Sequence, residues 1–307
     1  MNNPLVSVII PNYNHARFLD ERIQSVLNQT YQNFELIILD DKSTDNSVEL
    51  INHYKDNPHV SCIVVNEENS GSTLKQWHKG FELAKGELIW IAESDDSCDK
   101  RFLEILVDGY IKNDAVLAFC KSCKYDVAGN RSVYTHQNTI HCDMVVTGRD
   151  FISHHMLDRT FVANASSAIF SRSVAMSIDR QYMSMRGNGD WLFWIELMEH
   201  GNVFFSAKEL NFFRFHHTNT TRSLEYQGIS AIEYKFIYDY VVNHYQISEC
   251  EKRRVKFDYL YCFMQANYES HATRTKVLKV WDRYRVWRTY IFLSSIKEDI
   301  KLFLRNL

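Results

Sequence analysis

The sequence predicts an α/β fold, with a mostly parallel sheet flanked by helices and a helical C-terminal region. Three observations predict it. The first hundred residues alternate short apolar runs with amphipathic segments of helical period. These apolar runs are continuous, which is typical of parallel strands that are covered on both faces. From about residue 229 onward, the apolar residues recur with the helical period.

Four apolar runs predict the parallel strands. Each is rich in β-branched or aromatic residues, and they span residues 6–10, 34–39, 60–65 and 87–92. Three of them end in polar clusters, namely Pro11-Asn12-Tyr13-Asn14, Asp40-Asp41 and Glu93-Ser94-Asp95-Asp96. Because ligands of open parallel sheets bind beyond the carboxyl ends of the strands, we expect these clusters to meet at one edge of the sheet.

Amphipathic segments predict helices over residues 17–27, 45–54, 73–84 and 99–110. Asp45 is a candidate N-cap of the second helix, and Lys85-Gly86 ends the third. Further along, we predict strands at 116–125, 166–171 and 210–216, and helices at 190–200, 229–242, 251–268 and 276–305. No linker rich in Pro, Gly and Ser is present, so a boundary near residue 225 marks a change of structural class.

Charge and composition exclude several classes of protein. The net charge is −3, but residues 1–98 carry −8 and residues 274–307 carry +6. The acidic majority argues against a nucleic-acid binder, whereas the basic tail indicates a surface contact. No apolar run is long enough to cross a membrane. Seven scattered cysteines and an N-terminus without a secretory signal predict reduced thiols in a cytoplasmic protein.

The two acidic strand ends each have two interpretations. Adjacent carboxylates at Glu93-Ser94-Asp95-Asp96 suit a Mg²⁺ or Mn²⁺ ion that bridges to a phosphate, or they act as an acidic cap of the next helix. Asp40-Asp41 can accept hydrogen bonds from a nucleobase or ribose, or it can be part of a turn before the helix that begins near Asp45.

Several motifs, in order, carry a family resemblance. The chain resembles family 2 glycosyltransferases of the GT-A fold, densely over the first 110 residues and sparsely to about residue 220. Motifs in the right order are more specific than any one alone. They are Val6-Ser-Val-Ile-Ile-Pro-Asn-Tyr-Asn14, Ser25-Val-Leu-Asn-Gln-Thr-Tyr31, Phe34-Glu-Leu-Ile-Ile-Leu-Asp-Asp-Lys-Ser-Thr-Asp45, Asn69-Ser-Gly71, Gly80-Phe-Glu-Leu-Ala-Lys-Gly-Glu87 and Glu93-Ser-Asp-Asp96.

The resemblance implies an inverting transferase that uses a nucleotide-diphospho-sugar in surface polysaccharide biosynthesis. It implies a GT-A domain over residues 1–225, divided into a donor part (1–98) and an acceptor part (99–225), and a helical region over 226–307. The acceptor is a saccharide or a lipid-linked saccharide. Asp96 is the implied ligand of Mg²⁺ or Mn²⁺. The implied nucleotide-sugar-binding residues are Pro11, Asn12, Tyr13, Asn14, Asp41, Lys75 and Asp95.

The resemblance also supplies a candidate catalytic base and a second metal contact. Asp190 stands at the start of a predicted helix, where family members place the carboxylate that deprotonates the acceptor. The alternative is an N-cap of that helix, but the motifs of the N-terminal part favour the catalytic role. Many relatives have Glu-Asp here, whereas this chain has Gly189-Asp190. The segment Arg214-Phe-His216 resembles the closing Arg-x-His motif, so His216 is a candidate metal or diphosphate contact.

Several alternatives remain open in the sequence. A sugar nucleotidyltransferase or an inactive binding subunit would share this fold, although the loop after the first strand lacks the glycines that hold a triphosphate. Trp77, Trp191 and Trp194 can stack on a sugar or belong to the core. In residues 275–307, an apolar stripe flanked by Arg and Lys suits either an anionic membrane surface or packing on this protein or a second copy.

Overall fold

A computed structural model describes residues 3–125, 131–214, 220–293 and 296. Ten strands form one sheet in the order β3-β2-β1-β4-β9-β6-β10-β5, with β7 paired to β6 and β8 to β10. The strands are β1 Val6–Asn12, β2 Phe34–Asp40, β3 Val60–Val65, β4 Leu88–Ile91, β5 Ser97–Cys98, β6 Ala115–Tyr125, β7 Arg131–Val133, β8 Met144–Thr147, β9 Ala168–Ser171 and β10 Asn202–Arg214.

The first four strands pair as the sequence predicts. β1 lies between β2 and β4, and β2 pairs with β3, all in parallel. The sheet becomes mixed at β9, which runs antiparallel to both β4 and β6, while β6 and β10 are parallel. The strand order reverses between β1 and β4, so their carboxyl ends flank a crevice in which a ligand can bind.

Twelve helices accompany the sheet in the described residues up to Trp281. They are α1 Ala16–Leu27, α2 Ser47–Asn52, α3 Thr73–Leu83, α4 Phe102–Lys112, α5 Thr135–Asn138, α6 Gly148–His155, α7 Arg172–Ser177, α8 Gly189–Met198, α9 Thr220–Tyr226, α10 Ile229–His244, α11 Glu249–Gln265 and α12 His271–Trp281. Two 3₁₀ turns, Ala165–Ser167 and Arg180–Ser184, precede β9 and α8. Among these residues, no helix is both long and apolar enough to cross a membrane.

Both faces of the sheet carry a core, because successive residues of a strand point to opposite sides. On one face, Val8 and Ile10 of β1 pack in a cluster with residues of α1 and α4. On the other face, Ile9 packs in a cluster with residues of α3 and α8. That second cluster also contains buried residues of α10, α11 and α12, so the C-terminal helices share the core of the sheet.

Two differences between the structure and the sequence-based elements change the architecture. β10 begins at Asn202, earlier than the predicted residue 210, and pairs along most of β6. The single helix predicted over 276–305 is wrong, because α12 ends at Trp281 and a turn at 282–285 precedes a second helical stretch from 286. Arg285 has a φ of 61°, and the buried Asp282 accepts a hydrogen bond from Arg288 N. This turn interrupts the apolar stripe.

Candidate active site

A cavity of about 720 Å³ lies at the carboxyl edge of the sheet, where the polar clusters were predicted to meet. It is lined by the loops after β1, β2 and β4, by the start of α3 and by residues 183–186. Five of the predicted nucleotide-sugar contacts line it, namely Pro11, Asn12, Tyr13, Asp41 and Lys75. The structure therefore brings together residues from three distant parts of the chain. Asn14, Asp95, Asp96 and Asp190 are outside this lining.

The loop after β1 is pinned to the loop after β2. The buried Asn12 donates from Nδ2 to Asp40 Oδ2 at 2.7 Å. Asn14 adopts a left-handed φ of 58°, which asparagine tolerates better than most residues, and its Oδ1 accepts a hydrogen bond from Thr44 N at 2.7 Å. These contacts leave Tyr13 between them, 47% exposed at the cavity. Asn14 thus supports the shape of the loop, and its predicted donor contact stays a prediction.

Asp41 is buried at the floor of the cavity by a network of donors. Its Oδ1 accepts from Asn66 Nδ2 at 2.7 Å and from Gln76 Nε2 at 3.0 Å. Its Oδ2 accepts from Ser70 Oγ at 2.7 Å, and Ser70 N also donates to both oxygens. Since each carboxylate oxygen has two lone pairs, these five bonds fill the whole accepting capacity of Asp41. Asp41 therefore also holds the loop before α3 in place.

Glu93 is a lining residue to which the sequence assigned no definite role. Trp77 Nε1 donates to Glu93 Oε1 at 2.9 Å, and Trp77 itself is buried beside Trp194. Burial raises the pKa of Glu93 to about 8, and the nearby charge of Asp95 adds to the rise. The raised pKa means that Glu93 is stable either in its protonated form or, when ionised, next to a cation.

Asp96 lies beneath the cavity and is almost inaccessible to solvent. Its Oδ2 accepts from Ser166 Oγ at 2.7 Å, and its Oδ1 accepts from Arg214 N at 3.1 Å. Burial raises the pKa of Asp96 to about 7, Asp95 adds to the rise, and the cation of Arg22 opposes it. The predicted metal ligand Asp96 is therefore part of a buried hydrogen-bond network. These two bonds leave lone pairs on its carboxylate oxygens that could coordinate a cation.

Arg214, the last residue of β10, contacts residues 93–96, which we call the acidic segment. Its guanidinium lies between the rings of Phe18 and Tyr125, at 4.7 and 4.5 Å from their centroids. Its Nε donates to the carbonyl of Asp95 at 3.0 Å and its Nη2 to Glu21 Oε2 at 2.6 Å. The predicted contact His216 lies outside the described residues.

Asp190 is the second residue of α8 and is partly exposed. Its Oδ1 accepts a hydrogen bond from Trp191 N at 2.8 Å. Burial raises its pKa to about 6, and the charge of Glu233 adds to the rise. The preceding Gly189 packs tightly against Leu74, a residue of the cavity wall, because a Cβ at 189 would lie 2.4 Å from Leu74 Cδ1. The candidate base thus stands next to the cavity.

Residues 183–186 form a wall of the cavity that sequence reasoning missed. Met183, Met185 and Arg186 line it together with Leu224 from α9. No motif signals these residues, since they form the end of a 3₁₀ turn and the two residues after it, in the irregular middle of the chain. Gln76 was also missed, although it follows Lys75 directly and is buried against Asp41. The spacing between Gly71 and Gly80 differs by one residue from the common pattern of the family. This difference was the signal that a neighbour of Lys75 could be the functional residue.

Trp77, Trp191 and Trp194 belong to the core. All three are buried, with 3% exposure or less, and belong to the cluster between the sheet and α8. Stacking on a sugar is therefore excluded for these side chains in this conformation. Within the ranges that the structure describes, no three or more His, Cys, Asp and Glu side chains are arranged around one point as a metal site.

A polar cavity beyond the carboxyl ends of parallel strands is typical of nucleotide-binding α/β proteins. Residues 7–178, more than half of the chain, match Glycosyl transferase family 2, and the chain belongs to that family. It is 36% identical over 150 residues to Glycosyltransferase GlyG of Streptococcus pneumoniae, which is 48% of this chain and 45% of that protein. It is 34% identical over 116 residues to the putative teichuronic acid biosynthesis glycosyltransferase TuaG of Bacillus subtilis, or 38% of this chain and 46% of that protein. The matched stretch spans about half the length of these curated relatives.

The fold is also shared with a solved structure, residues 1–349 of S. aureus TarS in complex with UDP-GlcNAc. The TM-score is 0.70, over 90% of this chain and 80% of that chain, at 17% sequence identity. The predicted family and the predicted fold class, a GT-A mixed sheet flanked by helices with a C-terminal helical extension, are both confirmed.

Proposed function

We propose that the protein is an inverting glycosyltransferase that moves a sugar from a nucleotide-diphospho-sugar to an acceptor hydroxyl in surface polysaccharide biosynthesis. The observation that carries the proposal is the single cavity that Asp41, Lys75 and Glu93 line, with Asp190 beside its wall. Membership of the family supports it. Similarity to a poly(ribitol-phosphate) beta-glucosyltransferase of Bacillus spizizenii, 36% identical over 93 residues, also supports it.

The two sides of the cavity suit the two parts of the donor. The buried side, with Pro11, Asp41 and Gln76, offers the shape that a nucleobase and ribose need. Gln76 Oε1 has no hydrogen-bond partner in the described part of the protein and can accept a bond from the nucleotide, while Asp41 holds Gln76 Nε2 in place. Lys75 is exposed at the opening, where its ammonium group can pair with a diphosphate oxygen. The wall formed by residues 183–186 is left for the acceptor, a saccharide or lipid-linked saccharide.

Asp190 serves as the catalytic base in this proposal. Its carboxylate takes the proton of the acceptor hydroxyl as that oxygen attacks the anomeric carbon. The bond from the anomeric carbon to the diphosphate breaks, and the nucleoside diphosphate leaves with the electron pair. Because one displacement occurs, the configuration inverts. A pKa raised to about 6 keeps Asp190 ionised yet basic near neutral pH.

The acidic segment suits the Mg²⁺ or Mn²⁺ ion that the sequence predicted. Glu93, Asp95 and Asp96 place three carboxyl groups at one strand end. Burial and the charge of Asp95 raise the pKa values of Glu93 and Asp96, and an oxygen-preferring cation relieves such crowding. We propose that Asp96 would hold the ion, and that His216, which lies outside the described residues, would contribute a second ligand. Such an ion supplies charge that stabilises the departing diphosphate.

The basic tail keeps its two predicted partners. Val277, Trp281 and Ile291 are buried against this chain, whereas Tyr284, Val286 and Leu293 are exposed. The exposed side chains from Tyr284 onward are therefore available for a partner. We propose that these side chains contact an anionic membrane surface on the cytoplasmic side or a second copy of the chain. Co-sedimentation with vesicles that contain phosphatidylglycerol, compared with mass measurement in solution, separates the two.

A thermal-shift screen tests the proposed donor site. UDP, UDP-GlcNAc and other nucleotide sugars are added with Mn²⁺, and binding at about 100 times Kd raises stability by about 2.7 kcal/mol. We expect Lys75→Ala to weaken this shift and the exposed Lys55→Ala, away from the cavity, to preserve it. Incubation with an acceptor extract then shows whether the bound nucleotide sugar is a donor. No shift with any nucleotide or nucleotide sugar would contradict the proposal.

A further inference from the structure

The carboxylate of Glu233, on helix α10, binds the loop of residues 186–188 that precedes α8. Glu233 Oε1 accepts a hydrogen bond from Arg186 N at 2.7 Å. Its Oε2 accepts from Gly187 N and Asn188 N, both at 2.9 Å, and from Asn188 Nδ2 at 3.2 Å. Three successive backbone N–H groups thus converge on one carboxylate, an arrangement that binds anions strongly.

The same loop is confined from its other side. A Cβ at Gly189 would lie 2.2 Å from the carbonyl oxygen of Tyr182, so backbone meets backbone there without space for a side chain. Asn188 is buried and also donates from Nδ2 to the carbonyl of Ser230 at 3.4 Å. The loop is held between α10 and the 3₁₀ turn Arg180–Ser184. Its position therefore restricts that of Asp190, which follows the loop after Gly189.

The loop links the carboxylate to the cavity in two ways. Arg186, the first residue bonded to Glu233, lines the cavity, and Asp190 follows four residues later. Removing the carboxylate would leave three backbone N–H groups without that acceptor. The loop would then change its conformation so that these groups reach other acceptors, and this change would displace Asp190.

We propose that Glu233 is a positioning residue, which fixes the loop 186–188 on α10 and so places Asp190 toward the acceptor side of the cavity. The inference rests on the proposed role of Asp190 as base. It also assigns a catalytic purpose to the C-terminal helices, which otherwise contribute only core packing.

The electrostatic surroundings of Asp190 agree with this assignment. The titratable groups that interact with it are Glu233 and Tyr234, both on α10. Burial raises the pKa of Tyr234 to about 12, so its phenol is neutral at physiological pH. The Glu233 charge raises the pKa of Asp190, while hydrogen bonds from the backbone N–H groups of Trp191 and Asp190 lower it. Losing the Glu233 charge therefore lowers the pKa of Asp190.

Amide hydrogen exchange tests the anchoring without a ligand. Glu233→Ala removes the acceptor, Glu233→Gln keeps its shape without the charge, and Asp239→Asn is the matched control, since Asp239 is an exposed acid on α10 bonded to Lys235. We expect the amides of residues 186–188 to exchange about tenfold faster in Glu233→Ala and unchanged in Asp239→Asn. Equal exchange of these amides in wild type, Glu233→Ala and Asp239→Asn would overturn the proposal.

Steady-state kinetics with the donor that wild type uses test the catalytic consequence. We expect Glu233→Ala to lower kcat roughly tenfold to a hundredfold with donor KM changed less than about twofold. In Glu233→Gln, the acid limb of the kcat–pH profile shifts to lower pH. A wild-type kcat and an unmoved limb, despite faster exchange, would refute positioning. If wild type transfers and hydrolyses no nucleotide sugar, the proposed function fails, and the exchange result alone decides the anchoring.

Discussion

Arg22 and Asp96 form a buried ion pair, with Arg22 Nη2 at 3.9 Å from Asp96 Oδ2 and both side chains inaccessible to solvent. Arg22 Nε also donates to the carbonyl of Glu93 at 2.8 Å. The guanidinium of α1 therefore offsets the charge of the acidic segment from within the core. Charges are buried in this way only where a partner lies close, because an isolated ion is expensive to remove from water.

Replacing Arg22 should destabilise the fold strongly. Arg22→Met leaves the buried Asp96 without its cation, which costs about 3–5 kcal/mol when one partner of a buried pair is lost. The matched control is Arg101→Gln, which breaks the exposed pair with Asp99 and should cost less than about 1 kcal/mol. Urea unfolding monitored by circular dichroism measures both. Equal losses for the two variants would contradict the structural role of Arg22.

Stability should fall as the pH rises across neutrality. The pKa of Glu93 is raised to about 8, so the folded state holds a proton that the unfolded state releases above its ordinary value of 4.5. Between these values the unfolded state binds fewer protons, and the free energy of unfolding decreases with rising pH. Urea titrations from pH 5 to 8 should show this slope, and Glu93→Gln should flatten it. A slope unchanged in Glu93→Gln would exclude Glu93 as its source.

Divalent cations should reverse part of this pH dependence. If Mn²⁺ binds at Asp96 and its neighbours, the charged carboxylates gain a partner and the melting temperature rises with added Mn²⁺ and UDP. Asp96→Asn should lose that rise, whereas Asp99→Asn, at an exposed pair with Arg101, should retain it. A full Mn²⁺ response in Asp96→Asn would remove Asp96 from the metal site.

Gly189 should resist any side chain. A Cβ there meets the Tyr182 carbonyl oxygen at 2.2 Å, so Gly189→Ala must displace backbone and should cost about 1–3 kcal/mol. Gly71→Ala is the control for stability, because its Cβ meets nothing within 4 Å and only the left-handed φ of 69° opposes it, at about 1–2 kcal/mol. Thermal denaturation compares them. A Gly189→Ala variant as stable as wild type would show that the loop before α8 is loose.

Much of the donor side of the molecule could be predicted from the sequence. The continuous apolar runs fix β1 to β4, and parallel strands place Pro11 and Asp41 at one edge for simple geometric reasons. The family motifs then supply chemistry for these residues. The order of strands beyond β4 has no local signal, because β9 enters between β4 and β6 from far along the chain.

The acceptor side depends on contacts between residues that are distant in sequence. Glu233 reaches Gly187 across 46 positions, and nothing in the amphipathic pattern of α10 marks it as different from other exposed acids. Arg22 similarly appears as a surface cation of α1 until β4 and the acidic segment cover it. Such roles arise from tertiary packing, which a periodic pattern does not encode.

The most direct test of the account is the transfer rate of Asp190→Asn beside wild type, at saturating donor and acceptor, with donor binding measured for both proteins. Asparagine keeps the size of the side chain but cannot accept the acceptor proton. We predict undiminished donor binding and a kcat at least about a hundredfold lower, in line with the loss of a general base. Turnover close to that of wild type would contradict the proposal that this cavity and Asp190 together carry out glycosyl transfer.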